Sequence, residues 1–446
     1  MPLQTIPQAS GAMPLIGHSI QLLRNPIAFL ESLPKKPLVQ IRIGAMKAVV
    51  LVDRDITKRV LQNDEVFDKG GPFFHRLREV MGNGLGTCPR DEHRQQRRIV
   101  QPAFHGSRMG GYAETMSRHI SAVTSSWIDG GEIDGRAEMM DLTTRVAVGT
   151  MFSDSLSQED VSEINEDFTT IVRTMYRRMI TPSPLDRIET AEKRRYDQAR
   201  ARVKRRTEEV IAERRRAGCP DRGDLLSILL DARDNDGLQL STAEIHDHLS
   251  TFFMAGVMTT ASSLSWTLHL LTQETAVQKA LQEEVDSVLT GDHAVYADLA
   301  RLDLAKRVVA ESLRLWAPGW FVTRVATRDT ELSGYHIPAG TTIVFSPFLI
   351  HRQAEVYEEP ERFIPDRWLP ERGPVPRDAH IPFGGGARKC IADEFSLTQS
   401  TLVVATVAAR WTLVAAPGSQ VKPSYGAVLS PKGLRVITHR RGGGQS

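Results

Sequence analysis

Apolar positions along the chain follow two periods, and the period marks the elements. Ile20 to Leu33 repeats at the three-and-four spacing of one helix face. Leu38 to Leu51 alternates, is rich in Val and Ile, and has Gly44-Ala45 at its middle, which predicts a strand hairpin. Phe67 to Pro89 holds Gly70, Gly71, Pro72, Gly82, Gly84, Gly86 and Pro89, so a loop without a long helix is expected there, carrying Phe73 and Phe74. Asp91 to Pro102 is a short helical piece. From Met109 to about Leu230 the pattern is helical; within it Arg194 to Arg216 is basic, with Glu208, Glu209 and Glu213 interspersed, as in a solvated helix laced with ion pairs. Thr242 to Thr272 is apolar all round, the mark of a buried helix. Gly334 to Phe345 alternates as strands about a Pro338-Ala339-Gly340 turn, and Phe395 to Ala409 is helical again.

Composition narrows the function. The chain has 446 residues, 41% of them hydrophobic, enough for a large core. A formal net charge of +2 gives no field for nucleic acid or an acidic substrate. Cys88, Cys219 and Cys390 are far apart, which argues against a disulfide framework and excludes a four-cysteine zinc or iron–sulfur site within one chain. Met1 to Leu15 contains Pro2, Pro7 and Pro14 and neither a spanning apolar run nor a signal peptide. The expectation is a cytoplasmic protein with no membrane span.

Chemistry concentrates in Phe383-Gly384-Gly385-Gly386-Ala387-Arg388-Lys389-Cys390 and the helical run beyond. Glycines let a backbone fold tightly and approach something flat or bulky. A helix N-terminus, Arg388 and Lys389 would each lower the pKa of the Cys390 thiol. A thiolate held in a glycine loop is what an axial ligand to haem iron requires. Upstream, His93 and Arg97 are four apart and share a helix face. In Ala255-Gly256-Val257-Met258-Thr259-Thr260 a threonine hydroxyl competes for a backbone carbonyl and weakens the helix. Glu311 and Arg314 are three apart and face one side of a helix.

Phe383, Gly386, Arg388 and Cys390 fall at the spacing of the haem loop of the cytochrome P450 family, with Ala392 where that family usually has glycine. The resemblance extends over nearly the whole chain. It implies a mainly α fold with small β-sheets, one domain over 1–446, with a small β-rich lobe near the N-terminus and a large helical lobe carrying haem. It implies haem b with Cys390 as the iron ligand, held also by Phe383, Arg388, Arg97 and Arg324, and by His93 in the place of the usual tryptophan. Thr259 and Gly256 take the oxygen-side catalytic positions, and Met258 stands where the family usually has a carboxylate. Glu311, Arg314 and Arg362 are expected as a buried structural trio. Phe73, Phe74, Phe252, Ala255 and Val322 are expected to line the substrate pocket, with Trp320 nearby.

The resemblance also implies monooxygenation with O2 and with electrons from NAD(P)H through a ferredoxin reductase and a ferredoxin, steered by the basic face of Arg94, Arg97 and Arg98. The pocket positions carry no charged anchor, which suits a neutral apolar substrate. Met175-Tyr176-Arg177-Arg178-Met179, Ala212-Glu213-Arg214-Arg215 and Asp366-Arg367-Trp368-Leu369-Pro370-Glu371-Arg372 look like bacterial terpene-oxidising members. The expected substrate is therefore a polycyclic sesquiterpene of an antibiotic pathway, with one carbon oxidised repeatedly to alcohol, aldehyde and acid. Alternatives are a fatty-acid or steroid hydroxylase, a peroxide-driven haem enzyme or haem isomerase on the same fold, and a non-enzymatic haem sensor.

Overall fold

The structure, a computed structural model, describes residues 5–153, 157–180, 189–233 and 237–442. The predicted hairpin forms Leu38–Ile43 and Met46–Leu51, paired antiparallel from Leu38↔Leu51 to Ile43↔Met46 around Gly44 at φ 59°. Met46–Leu51 then pairs in parallel with Thr342–Phe345, and Val322–Ala326 and Phe67–Asp68 follow to complete a five-stranded sheet. Leu38, Val49, Leu51, Ile343 and Phe345 form its buried face.

The rest is chiefly helical. Thr242–Gln273 runs unbroken for 32 residues and starts from a capping box in which Ser241 and Glu244 satisfy each other's backbone N–H groups. It packs against Gly135–Phe152, Asp303–Leu315 and Asp393–Arg410, and Ala261, Leu264 and Leu268 meet Leu402 and Val404 in one core. A mainly α fold with small sheets is thus what the chain adopts. Among the described residues no helix is long and apolar enough to cross a membrane.

Two local expectations need correction. Ile20 to Leu33 forms two short helices, Ser19–Arg24 and Pro26–Glu31, because Pro26 cannot donate into a preceding turn and the Asn25 side chain instead caps Ala28 N at 3.2 Å. The stretch read as a loop contains the helix Gly71–Met81. Its Pro72 lies in the first turn, where no N–H is needed, and Gly82 at φ 61° stops it. A Cβ at Gly82 would lie 1.9 Å from the Asp247 carboxylate of the long helix, so only glycine brings this corner so close. The basic run is the helix Ala191–Arg216, with i,i+4 pairs such as Lys204–Glu208 and Arg205–Glu209. Arg214 differs from its neighbours: it is 2% exposed and paired with buried Asp224.

Candidate active site

The Cys390 loop is shaped by its glycines. Gly384 and Gly386 have φ of 70° and 67°, a region that a side chain disfavours. A Cβ at Gly386 would stand 1.9 Å from the Leu61 carbonyl oxygen. Cys390 N donates to Phe383 O at 3.0 Å, closing the loop, and the helix Asp393–Arg410 begins three residues later. Arg97 reaches the loop from the helix Arg90–Val100, donating to Lys389 O at 2.8 Å and Ala387 O at 3.3 Å.

Cys390 is exposed, yet the protein atoms packed around its thiol still desolvate it. Burial therefore pushes the thiol above its ordinary range, Asp393 adds to the rise, and the Ala392 N–H, Lys69 and Arg97 counter it only in part. This is opposite to the expected lowering. The two neighbouring cations are engaged elsewhere: Lys389 pairs with Asp393 at 2.5 Å, and Arg388 turns to Asp68 at 2.5 Å and to Cys88 O at 3.1 Å. A metal ion held by Cys390 would supply the missing charge and favour the thiolate.

Beside the loop lies a buried nest of cations. Arg324 is 5% exposed; its guanidinium donates to Thr323 O at 2.8 Å and sits over Phe345. Lys69 donates to Gly86 O at 2.8 Å. Burial, then the Arg324 and Arg388 charges, push Lys69 down to about 7. Arg324 is held down to about 10 by burial and Arg388, and His93 to about 3 by burial and then Arg388, Lys69, Arg97 and Arg324. Asp68 and Asp64 offset part of this charge, yet the buried Arg388 Nε has no hydrogen-bond partner. Buried cations in excess over carboxylates call for an anion. The two propionates of a haem meet that need, and Cys390, Gly386 and the cleft meet its other requirements, so these residues fit the cofactor. His93 is neutral here and brings a ring N–H rather than a charge. Lys69 had no sequence signal beyond its place between Asp68 and Gly70.

The long helix forms another wall. Ala255 and Gly256 are exposed in the middle of an otherwise buried helix, and a Cβ on Gly256 would meet nothing within 4 Å. Thr259 Oγ1 donates to Ala255 O at 2.6 Å, the back-bond expected from the sequence, although the helix stays continuous. Thr260 faces Ser396 of the cysteine helix at 3.3 Å, and Ile391, Phe252 and Met258 border one apolar cluster.

The structural trio needs a correction. Glu311 and Arg314 are fully buried and bidentate, Nε–Oε2 2.9 Å and Nη2–Oε1 2.8 Å. Arg362 does not join them: its guanidinium is exposed and pairs with Glu359 at 2.7 Å, and only its carbonyl accepts from Arg314, at 3.0 Å. The second guanidinium on Glu311 is Arg367 at 3.2 Å, with Trp368 Nε1 at 2.9 Å and Ile364 N at 3.0 Å completing the shell. A 3-10 turn, Pro365–Trp368, directs both side chains inward.

The expected pocket residues are dispersed. Phe73 and buried Phe74 stack edge to face, with ring centroids 5.3 Å apart, on Gly71–Met81. Phe252 turns to Phe104, at 5.0 Å between ring centroids, and Val322 lies in the sheet opposite Phe345. Ala255 is exposed. A cavity of about 490 Å³ lies on a different flank of the long helix, among Met254, Met258, Phe168, Tyr425, Ala427 and Arg136, and none of these five expected residues lines it. Trp320 Nε1 donates to Gly426 O at 3.2 Å and pins the hairpin that closes this cavity.

A cysteine in a glycine loop, a nest of cations beside it and a threonine-bearing helix in contact with the cysteine helix are the parts of a haem-thiolate enzyme. The family model for cytochrome P450 matches residues 7–438, and the chain belongs to that family of monooxygenases. It is 40% identical to pentalenene oxygenase of Streptomyces avermitilis over 440 residues, 98% of each chain. It is also 40% identical to cyclooctatin synthase of Streptomyces melanosporofaciens, covering 97% of this chain and 95% of that one. Cyclooctat-9-en-7-ol 5-monooxygenase of the same organism is 40% identical over 92% and 90%. The crystal structure of the cytochrome P450DA haem domain superposes with a TM-score of 0.90 at 26% identity over 99% of both chains. The resemblance to terpene oxygenases noted in the sequence is borne out.

Proposed function

We propose that the protein hydroxylates an unactivated C–H bond of a polycyclic terpene, a sesquiterpene of an antibiotic pathway, and oxidises one carbon repeatedly. The observation that carries this reading is the 40% identity, over nearly full length, to enzymes named for pentalenene and cyclooctatin. The apolar wall of the cavity supports it: Met254, Val257 and Met258 would bind such a skeleton by apolar burial, at roughly 25 cal/mol per Å². Residues 1–446 act as one domain in the cytoplasm, with electrons from NAD(P)H through a ferredoxin.

Cys390 would hold haem as its thiolate ligand, and the haem would supply the oxygen-activating chemistry. Lys69, Arg97, Arg324 and Arg388 would hold and neutralise the propionates, and His93 would add a neutral donor. Thr259 commits its proton to Ala255 O and so presents lone pairs to the cleft. It accepts from a water and passes a proton on by releasing that carbonyl. Met258 has no ionisable group, so protons arrive through water and Thr259.

The test is to titrate tricyclic sesquiterpenes, steroids and fatty acids while following displacement of the iron-bound water in the haem spectrum. Products of turnover with ferredoxin, its reductase and NAD(P)H are then identified by mass. A sesquiterpene response with hydroxylated product is expected. Turnover of a fatty acid without response to any sesquiterpene overturns the terpene reading, and turnover with peroxide but not with ferredoxin overturns the electron source.

A further inference from the structure

The cavity on the flank of Thr242–Gln273 has an ordered polarity. At about 100° per residue, Met254, Val257, Met258 and Ala261 share a flank beside the face that carries Ala255, Gly256 and Thr259. Its floor is apolar and buried: Phe168, Phe253, Met254 and Val257. Its rim is polar: Thr169 and Arg136 are exposed, and Ser424 and Tyr425 are half-buried. A volume of about 490 Å³ is that of a small-molecule site rather than of a water pore.

Arg136 stands at the outer end. Its neighbour Gly135 backs onto Leu268, to which a Cβ there would come within 3.7 Å. Leu268 lies ten residues beyond Met258, about 15 Å along a helix at its usual rise. A ligand reaching from Arg136 to Met258 therefore brings its far end beside Thr259. Among the described residues no carboxylate pairs with the Arg136 guanidinium. The nearby acids Glu132 and Asp134 pair instead with Arg435, at 2.6 and 3.9 Å. Asp134 also accepts the Arg136 and Ala137 backbone N–H groups at 3.1 Å.

An unpaired guanidinium at the open end of an apolar cavity is complementary to an amphipathic acid. We infer that this cavity is a subsite for the carboxylate end of an oxygenated terpenoid, with Arg136 as its counter-ion; the inference rests on the terpene reading for the ligand's skeleton only. The apolar rings of such a ligand lie against Met254 and Met258. A terpenoid that already carries a carboxylate is thereby held with that group away from Thr259.

Equilibrium dialysis of the haem-loaded protein tests this with a matched pair, a tricyclic sesquiterpene and the acid derived from one of its methyl groups. Arg136→Gln is expected to weaken the acid about fivefold, the scale of one partly exposed ion pair, and to leave the hydrocarbon within about twofold. Arg136→Lys should restore most of the loss, and added salt should reduce the wild-type preference. Equal changes for both ligands, or no change for the acid, overturn the subsite. If neither terpenoid binds, a twelve-carbon fatty acid and its alkane are put through the same comparison. Arg136-dependent binding of that acid keeps the subsite and removes the terpene reading, whereas its absence overturns the subsite.

Discussion

Arg362 and Arg367 stand five residues apart in one segment, and spacing alone does not decide which of them enters the core. The turn Pro365–Trp368 decides it by directing Arg367 and Trp368 to Glu311. Arg367→Ala should therefore destabilise the fold by about 1–3 kcal/mol, through a buried carboxylate left short of a donor. Arg362→Ala should leave the denaturation midpoint unchanged, and equal losses would restore Arg362 to the trio. Lys69 was illegible for a similar reason: a lysine between an acid and a glycine reads as solvated, and only the fold shows it half-buried with its ammonium on Gly86 O. Cys390 was legible because its glycines admit few alternatives. Cys390→Ala should keep the fold, since the residue is exposed and outside the apolar core, and should abolish the thiolate signature in the spectrum of the reduced, carbon monoxide-bound protein. An unchanged spectrum would remove Cys390 as the ligand.

Among the elements, periodicity placed the long helix within a residue at either end, because a buried helix is apolar on every side. It failed for Gly71–Met81, where glycine and proline were read as breakers although they mark a start and a stop. The sheet order was also beyond local pattern, since Thr342–Phe345 comes to Met46–Leu51 from nearly three hundred residues away. Thr259 is the element's proposed functional position. Thr259→Ala frees the Ala255 carbonyl and removes the only side-chain hydroxyl at the cleft that the proposed proton path uses. The helix should persist, as alanine favours it. Peroxide released per NAD(P)H consumed should rise, and product should fall. An unchanged ratio of product to reductant would exclude Thr259 from proton delivery.

At the scale of the molecule, histidines withdrawn from water tie the assembly to pH. Burial holds His248 and His380 down to about 4, and burial with the surrounding cations holds His93 down to about 3; His351 is also well below the ordinary range through burial. In the unfolded chain each titrates near about 6.5. Below that pH the unfolded state binds protons that the folded state refuses, so stability is present in full above about 6.5 and is lost as pH falls. The contributions of His248 and His380 are spent near pH 4, and that of His93 near 3. The slope is at most about 1.4 kcal/mol per pH unit for each histidine. His380 is the cleanest site to test, because it packs against Trp368 and His351 and its Nε2 has no partner. His380→Phe should flatten the fall in denaturant midpoint between pH 6.5 and 4.5 relative to the parent, with haem loaded in both. Parallel midpoint curves would mean that His380 titrates alike in the folded and unfolded chains, and burial of this side chain would then carry no pH dependence.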